Sequence, residues 1–410
     1  MKIGYFHVGP PGHGVPRLGR ILAAEGRKRP SLSVVEAETT LSGNRREDRM
    51  KIVAGARELS CADVVHLQYN SQREKSVWGR RWRQLEHLRL FARVCGKPLV
   101  VQISDFYPRH APAALVRRAL QIAAGAATGR LRVRPSTFMK EVKNTFGPVG
   151  STVRWLARHS SAVIVCSEEE RRRMTEFVGE ARIRMIFLFA EDRRVVIDAD
   201  DAKESLGLAG RKVLTLLGFV HPRKGHKLLL EALAELPAEY LVVFAGRARE
   251  EKTKQEVLGF ARDMGVDERV RLTGYLPEDE LERYLAASDL AVCPFETAAA
   301  SSSINTWISA RRPILASDLP LIAEYNLIEP SAIRTFAPYT AGALARAIRE
   351  AMQERQGSLE AINRLRERVI ISEIFNEHLE TYRQALSGRP SGPSYGVSRA
   401  ARPTPGQTHS

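Results

Sequence analysis

The stretch from Leu290 to Pro320, LAVCPFETAAASSSINTWISARRPILASDLP, decides how the chain is read. It runs as an apolar strand over Leu290–Pro294, then Phe295-Glu296, then the small residues Thr297 to Ala300. Ser301, Ser302 and Ser303 stand where a helix is expected to begin at Ile304-Asn305, and Ile314-Leu315-Ala316 is the next strand. Serine suits a helix start because its hydroxyl accepts a bond from an otherwise orphaned backbone N–H. Free N–H groups and the positive end of the helix dipole make such a start an anion site. A loop that leaves the carboxyl end of a strand and enters a helix is where open α/β sheets hold ligands. The same pattern also fits an ordinary capped helix in a βαβ unit.

Working outward, similar strand-and-helix units fill both halves. Lys212–Leu217 is a strand ending in Gly218, followed by HPRKGH and a helix over Leu228–Leu236. Tyr240–Ala245, Val270–Thr273 and the strand at Leu290 continue the series, with helices over 250–264 and Glu278–Ala287 between them. In the first half, Lys2–Val8 runs into Gly9-Pro-Pro-Gly12-His13-Gly14 and a helix over Pro16–Glu25. Ala62–Tyr69, Leu99–Ile103 and Ala162–Cys166 are further strands. Continuous apolar runs that alternate with helical stretches predict parallel sheets covered on both faces. At 410 residues two cores are the default. The domain reading is 1–189, a polar linker at 190–210, a second domain at 211–370, a returning helix at 371–386, and a disordered tail at 387–410. That tail is rich in Gly, Pro, Ser and Arg and cannot build a core.

Composition narrows the class. Hydrophobic residues at 44% and charged residues at 27% suit a soluble globular protein. No apolar run spans a bilayer, and MKIGYFHVG reads as a strand entering a glycine turn rather than a signal peptide. The reading places the protein in the cytoplasm, with the inner membrane face as a further location. Cys61, Cys95, Cys166 and Cys293 are far apart and read as reduced core residues. Asp198, Asp200 and Asp201 resemble a carboxylate cluster, but nothing places them beside a strand end, and no metal site is read. The net charge of +16 favours anionic partners, though it also accompanies plain arginine-rich codon usage. A basic segment holding Arg117, Arg118, Arg130, Arg132, Arg134, Lys140, Lys143, Arg154 and Arg158 offers a surface for peripheral contact with an anionic membrane, or a mouth for an anionic acceptor. A solvated face with a mobile loop is the plainer reading of it. Nucleic acid is not expected, since no reader module or stacking motif is present.

In the order and spacing of these pieces, the second half resembles the retaining glycosyltransferases of family 4. The matching residues are Gly218 to Gly225 with LLLEALAELP, then VRLTGYLPEDELERYLAASDLAVCPFE, then RRPILASDLP. The first half resembles them more loosely through its glycine loop, ADVVHLQYN, KPLVVQISDFYP and SAVIVCSEEE. The resemblance implies a GT-B fold, with two doubly wound Rossmann-like domains facing each other across a cleft. It also implies a nucleotide-diphosphate sugar as co-substrate, no other cofactor and no metal. The family's lysine, which neutralises the donor diphosphate, falls on Lys224. Its usual arginine falls near Phe219 and is missing, so Arg223 is the substitute. Glu296 matches the first of two glutamates, while the place of the second is Thr306, leaving Asn305 or Thr306 to hold the ribose. Ser301, Ser302, Ser303 and Ile304 look like the serine-rich variant of that motif. The family's histidine before an aspartate is here Ser104, with Asp105 retained, and His66 matches another common position. Gly12, His13, Gly14 and Asp105 would face the acceptor (a sugar, a lipid-linked or a small-molecule hydroxyl), and backbone at Gly274-Tyr275-Leu276 would read the base. The alternative is a non-catalytic sugar-nucleotide-binding or partner subunit of the same fold.

Overall fold

The structure, a computed structural model, describes the chain apart from residues 11–12, 71–74, 105–114, 117–118, 121–138, 140–141, 144, 180–181, 249, 299 and 389–410. Gly12, Asp105, most of the basic segment and the expected tail therefore lie outside the described residues.

Two compact units divide the chain, one made of Met1–Phe187 with the chain from Ser372, the other of Leu188–Ile371. The first holds strands β1 (Lys2–Val8), β2 (Ser33–Thr39), β3 (Val64–Asn70), a two-residue hairpin of β4 (Lys75–Ser76) and β5 (Gly79–Arg80), β6 (Leu99–Ser104), β7 (Ala162–Val165) and β8 (Ile183–Met185). Its six-stranded sheet has the order β2-β1-β3-β6-β7-β8, and every pair is parallel. The second unit holds β9 (Lys212–Leu217), β10 (Tyr240–Ala245), β11 (Val270–Leu272), β12 (Leu290–Cys293), β13 (Ile314–Ser317) and β14 (Arg334–Phe336). Its order is β11-β10-β9-β12-β13-β14, again parallel throughout.

The hairpin β4–β5 escapes the sequence reading, and so do three strands of the six-stranded sheets, β2, β8 and β14, all of them sheet edges. Edge strands are short or carry polar residues because one side faces no partner, so their apolar signal is weak. Residues 190–210, read as a linker, contain the helix Ala199–Ser205. Asp198 caps that helix by accepting from the N–H groups of Asp200 and Asp201, which is the role of the aspartate cluster.

Period-two alternation explains how the second sheet is covered on both faces. Leu214, Leu216, Val242 and Phe244 pack one way, onto Leu229, Leu230, Leu233, Leu344 and Ile348 of two helices. Val213, Leu241 and Val243 pack the other way, onto Ala202, Tyr284, Ala286 and Ala287. In the first unit, Ile3, Tyr5, Val64, Val65, Leu67, Val100 and Val101 are fully buried. Cys95, Cys166 and Cys293 are buried as expected, whereas Cys61 is exposed at the end of a short turn.

One charged residue anchors the second unit's amino-terminal strand ends. Asp289 is buried and accepts from Lys203 Nζ at 2.8 Å, Arg355 Nη1 at 3.0 Å and the backbone N–H of Val213 at 2.8 Å. Removing the carboxylate would leave the largely buried Lys203 ammonium uncompensated. Asp289→Ala is therefore expected to lower the unfolding free energy by about 3 kcal/mol, read as a shift of the urea midpoint.

Candidate functional site

The carboxyl ends of β9, β10 and β12 finish side by side, since Leu217 pairs with Ala245 and Ala291 with Thr215. After β9 the chain turns at Gly218 and forms a short 3-10 turn, Pro222–Lys224, started by Pro222 and capped by His221, whose Nδ1 accepts from Arg223 N at 3.2 Å. Gly225 ends this turn at φ +77° and opens the helix His226–Ala234. A Cβ on Gly225 would lie 2.0 Å from the carbonyl oxygen of Pro294, so only glycine lets this turn press against the end of β12. Glu296 N donates to the Arg223 carbonyl at 3.0 Å, which ties the same two loops.

That contact brings Lys224 under the serine-started helix. Lys224 Nζ donates to Ser303 Oγ at 2.7 Å and to the Leu217 carbonyl at 3.1 Å, and it lies 4.4 Å from the centre of the Phe295 ring. Gly218, at φ +113°, closes the floor: a Cβ there would meet Lys224 Nζ at 2.8 Å and Ser303 Oγ at 3.0 Å. Beneath the lysine, burial pushes the Cys293 thiol up to about 12, against the opposing pull of the Lys224 charge. It stays a neutral core group.

The helix runs from Ser302 to Ser309, two residues earlier than the expected start, with Ser301 as its cap accepting from Ile304 N at 3.3 Å. The N–H groups of Ser302 and Ser303 thus belong to the first turn, which has no intrahelical acceptors to offer them. Thr306 spends its hydroxyl on the Ser302 carbonyl at 2.9 Å, the usual local bond of a helical threonine. Asn305, one of the two candidates for a ribose contact, faces inward. It is buried, donates Nδ2 to the Leu188 carbonyl, and accepts from Tyr325 OH at 2.8 Å. Both ends of its amide are used to hold the chain where it enters this unit. Beside it, Ser309 Oγ accepts from Glu191 N at 2.8 Å. Glu296 is exposed at the loop, and Gly274, at φ +77°, has open space where a side chain would be.

Tertiary structure also adds a residue that sequence reading missed. Arg247, just past β10, lies with its guanidinium carbon 5.4 Å from the centre of the Phe219 ring. The pairing of distant strand ends makes that contact, and no local motif announces it.

In the first unit, Ser104 ends β6. His13 caps the helix Gly14–Arg27 by accepting from Val15 N at 3.2 Å, and the space beside Gly14 is open. His66 is a packed core histidine. Gln68 donates to its Nε2 at 3.0 Å, which leaves Nδ1 to donate to Tyr382 OH at 3.0 Å. Tyr382 belongs to the closing helix Ile371–Ser387 and also meets Tyr5 OH at 3.2 Å. His378 of the same helix is fully buried, and among the described residues neither ring nitrogen has a partner.

Burial lowers three imidazoles of the first unit, those of His7, His66 and His378. His378 is held at about 3 and His7 at about 4, and His66 lies well below the ordinary 6.5; desolvation leads in each case, joined for His7 by the charge of Arg20 and for His66 by His378. Glu377 moves the other way, pushed up to about 7 by burial and pulled back by Arg184.

Comparison with known proteins fits this geometry. A family model described as "Glycosyl transferases group 1" matches residues 211–354. An alpha-D-kanosaminyltransferase of Streptomyces kanamyceticus is 25% identical over 250 residues, covering 56% of this chain and 55% of its own. A GDP-mannose-dependent alpha-(1-6)-phosphatidylinositol monomannoside mannosyltransferase of Mycolicibacterium smegmatis is 29% identical over 204 residues, covering 48% and 52%. The chain thus spans about half the length of these curated relatives. Among solved structures, HepE of Anabaena, in complex with UDP and glucose, aligns with a TM-score of 0.64 at 16% identity, over 93% of this chain and 99% of that one. Sucrose-phosphate synthase of Thermosynechococcus elongatus aligns with a TM-score of 0.66 at 17% identity, over 95% and 100%. The fold is GT-B, built of two Rossmann-like domains with six parallel strands each.

The imidazole shifts carry a prediction whose sign follows from proton linkage. The unfolded chain takes up histidine protons near 6.5, the folded chain only near 4 or 3. Between those values the unfolded state holds more protons, so histidine-linked stability is full above 6.5 and is lost as pH falls. Glu377 opposes this between 4.5 and about 7, but it is one group against several. His378→Phe is expected to give a shallower loss of stability between pH 6.5 and 4, measured as urea midpoint against pH.

Proposed function

We propose that the chain is a retaining glycosyltransferase that moves a sugar from a nucleotide-diphosphate donor to an acceptor hydroxyl without a metal. The observation that carries this reading is the Lys224 ammonium, held 2.7 Å from Ser303 Oγ at the start of a helix. Breaking the anomeric C–O bond builds positive charge on the sugar and negative charge on the departing diphosphate. A fixed cation and free helix N–H groups aimed at that diphosphate stabilise the charge as it develops. The acceptor oxygen bonds the anomeric carbon on the face the diphosphate leaves, and its proton passes to a diphosphate oxygen. The protein then supplies no nucleophile.

Relatives support the donor class. One mannosyltransferase is named for GDP-mannose, and one structural neighbour was solved with UDP-glucose. Which base and sugar this chain takes is a matter for the test. The acceptor is a sugar, a small molecule or a lipid-linked hydroxyl, and the proposed location is the cytoplasm with peripheral contact to an anionic membrane. Among the described residues no helix is long and apolar enough to cross a membrane. A basic face of the first unit suits such contact: Arg45, Arg46, Arg49 and Arg57 line one side of the helix Arg45–Glu58 with Met50 and Val53. Arginines around exposed apolar residues favour an anionic interface.

UDP-, GDP- and dTDP-sugars tested by thermal shift should divide, one class raising the melting temperature as a ligand of the native state must. Lys224→Ala should remove that shift and lower turnover at least about a hundred-fold. Donor binding with no transfer to any acceptor would instead point to a non-catalytic subunit, and no stabilisation by any nucleotide would end the reading. Co-sedimentation with phosphatidylglycerol vesicles at low salt, and none with phosphatidylcholine vesicles, is expected of the basic face; equal behaviour toward both would remove the membrane from the proposal.

A further inference from the structure

We infer that Arg247 is a second cation of the diphosphate site, delivered from the neighbouring strand and seated on the ring of Phe219; this rests on the donor reading above. A diphosphate carries several negative charges, and the Lys224 ammonium already shares its protons with Ser303 Oγ and the Leu217 carbonyl. One lysine in that state neutralises only part of the leaving group. At Phe219, the position beside the Gly218 floor, the chain offers an aromatic ring and no charge.

The backbone shows where a further charge, beyond Lys224 and Arg223, comes from. Past the sheet, the ends of β9 and β10 stay paired: Gly218 N donates to the Ala245 carbonyl at 2.9 Å, and Val220 N donates to the Arg247 carbonyl at 3.1 Å, with a parallel bridge between Val220 and Ala248. The two segments touch closely, since a Cβ on Gly246 would lie 2.3 Å from the Gly218 carbonyl. Gly218 in turn bounds the lysine and Ser303 hydroxyl. Val220 turns into the core while Phe219, its neighbour, is 44% exposed, so the ring stands on the open side of this paired ribbon. The guanidinium of Arg247 lies over it at 5.4 Å. Arginine on an aromatic face keeps its in-plane N–H groups available. Among the described residues no carboxylate forms an ion pair with Arg247, so its charge is not cancelled locally. The ring that seats Arg247 is one residue past Gly218, which bounds the lysine-and-serine site, and a guanidinium presents the planar donor fork that binds phosphate oxygens in pairs.

Titration calorimetry of the full chain with UDP, GDP, ADP and dTDP, and with the corresponding uncharged nucleosides, tests this. For the diphosphate that binds the wild type, Arg247→Ala should weaken affinity about ten-fold, as loss of one charge-assisted contact does. Nucleoside affinity and melting temperature should stay unchanged, and the salt dependence of diphosphate binding should become shallower. Arg247→Lys should recover part of the loss, and Phe219→Leu, which keeps the charge but removes its seat, should fall between. Diphosphate affinity and salt dependence unchanged in Arg247→Ala would overturn the inference while leaving the donor site standing. A wild type that binds none of the four diphosphates would overturn both.

Discussion

A missing side chain governs the carboxyl rim of the second sheet. Gly225 sits so close to the Pro294 carbonyl that a Cβ would fall 2.0 Å from it, and a left-handed φ of +77° accompanies the contact. A larger residue would push the β9 turn away from the end of β12. Lys224 would then leave Ser303, and the helix that begins at Ser302 would face an empty turn. The cation and the helix start come from segments 79 residues apart in the chain, and their meeting rests on this one approach.

Around that contact, polar groups are divided between holding and offering. On the buried side of the helix, Asn305 and Ser309 hold the backbone at Leu188 and Glu191. Ser302 and Ser303, one turn earlier, leave backbone N–H groups toward the rim. A single helix of eight residues thus has a buried half that holds the fold and a first turn with N–H groups to offer. The first unit shows the opposite economy. Its buried histidines are kept neutral by desolvation, and the tyrosine that meets His66 arrives from the closing helix. The chemistry proposed for the protein draws nothing from these groups.

Much of this was legible in the residues alone. Unbroken apolar runs such as LAVC and YLVVFA must be buried on both faces, and a glycine or serine turn after each one ends the strand, so two parallel α/β sheets follow from periodicity and punctuation. Lys224 and the serine triplet could be singled out because a lysine before a glycine and a serine-capped helix each have a local meaning. Edge strands could not be read so easily, because β2, β8 and β14 are short or carry polar residues and their pattern is diluted. The inward orientation of Asn305 was illegible for a related reason: a polar residue on a helix shows no sign of which face it will occupy, and only packing against Leu188 and Tyr325 turned it inward.

What the chain determined by itself was therefore local: where strands start and stop, which turns need glycine, and which helix begins with hydroxyls. Tertiary structure decided which of those local features meet. The pairing of β9 with both β10 and β12 set Lys224 beside Ser303, and it laid Arg247 over Phe219. Sheet order is a product of long-range burial, and the sequence neighbours of a residue carry no record of it.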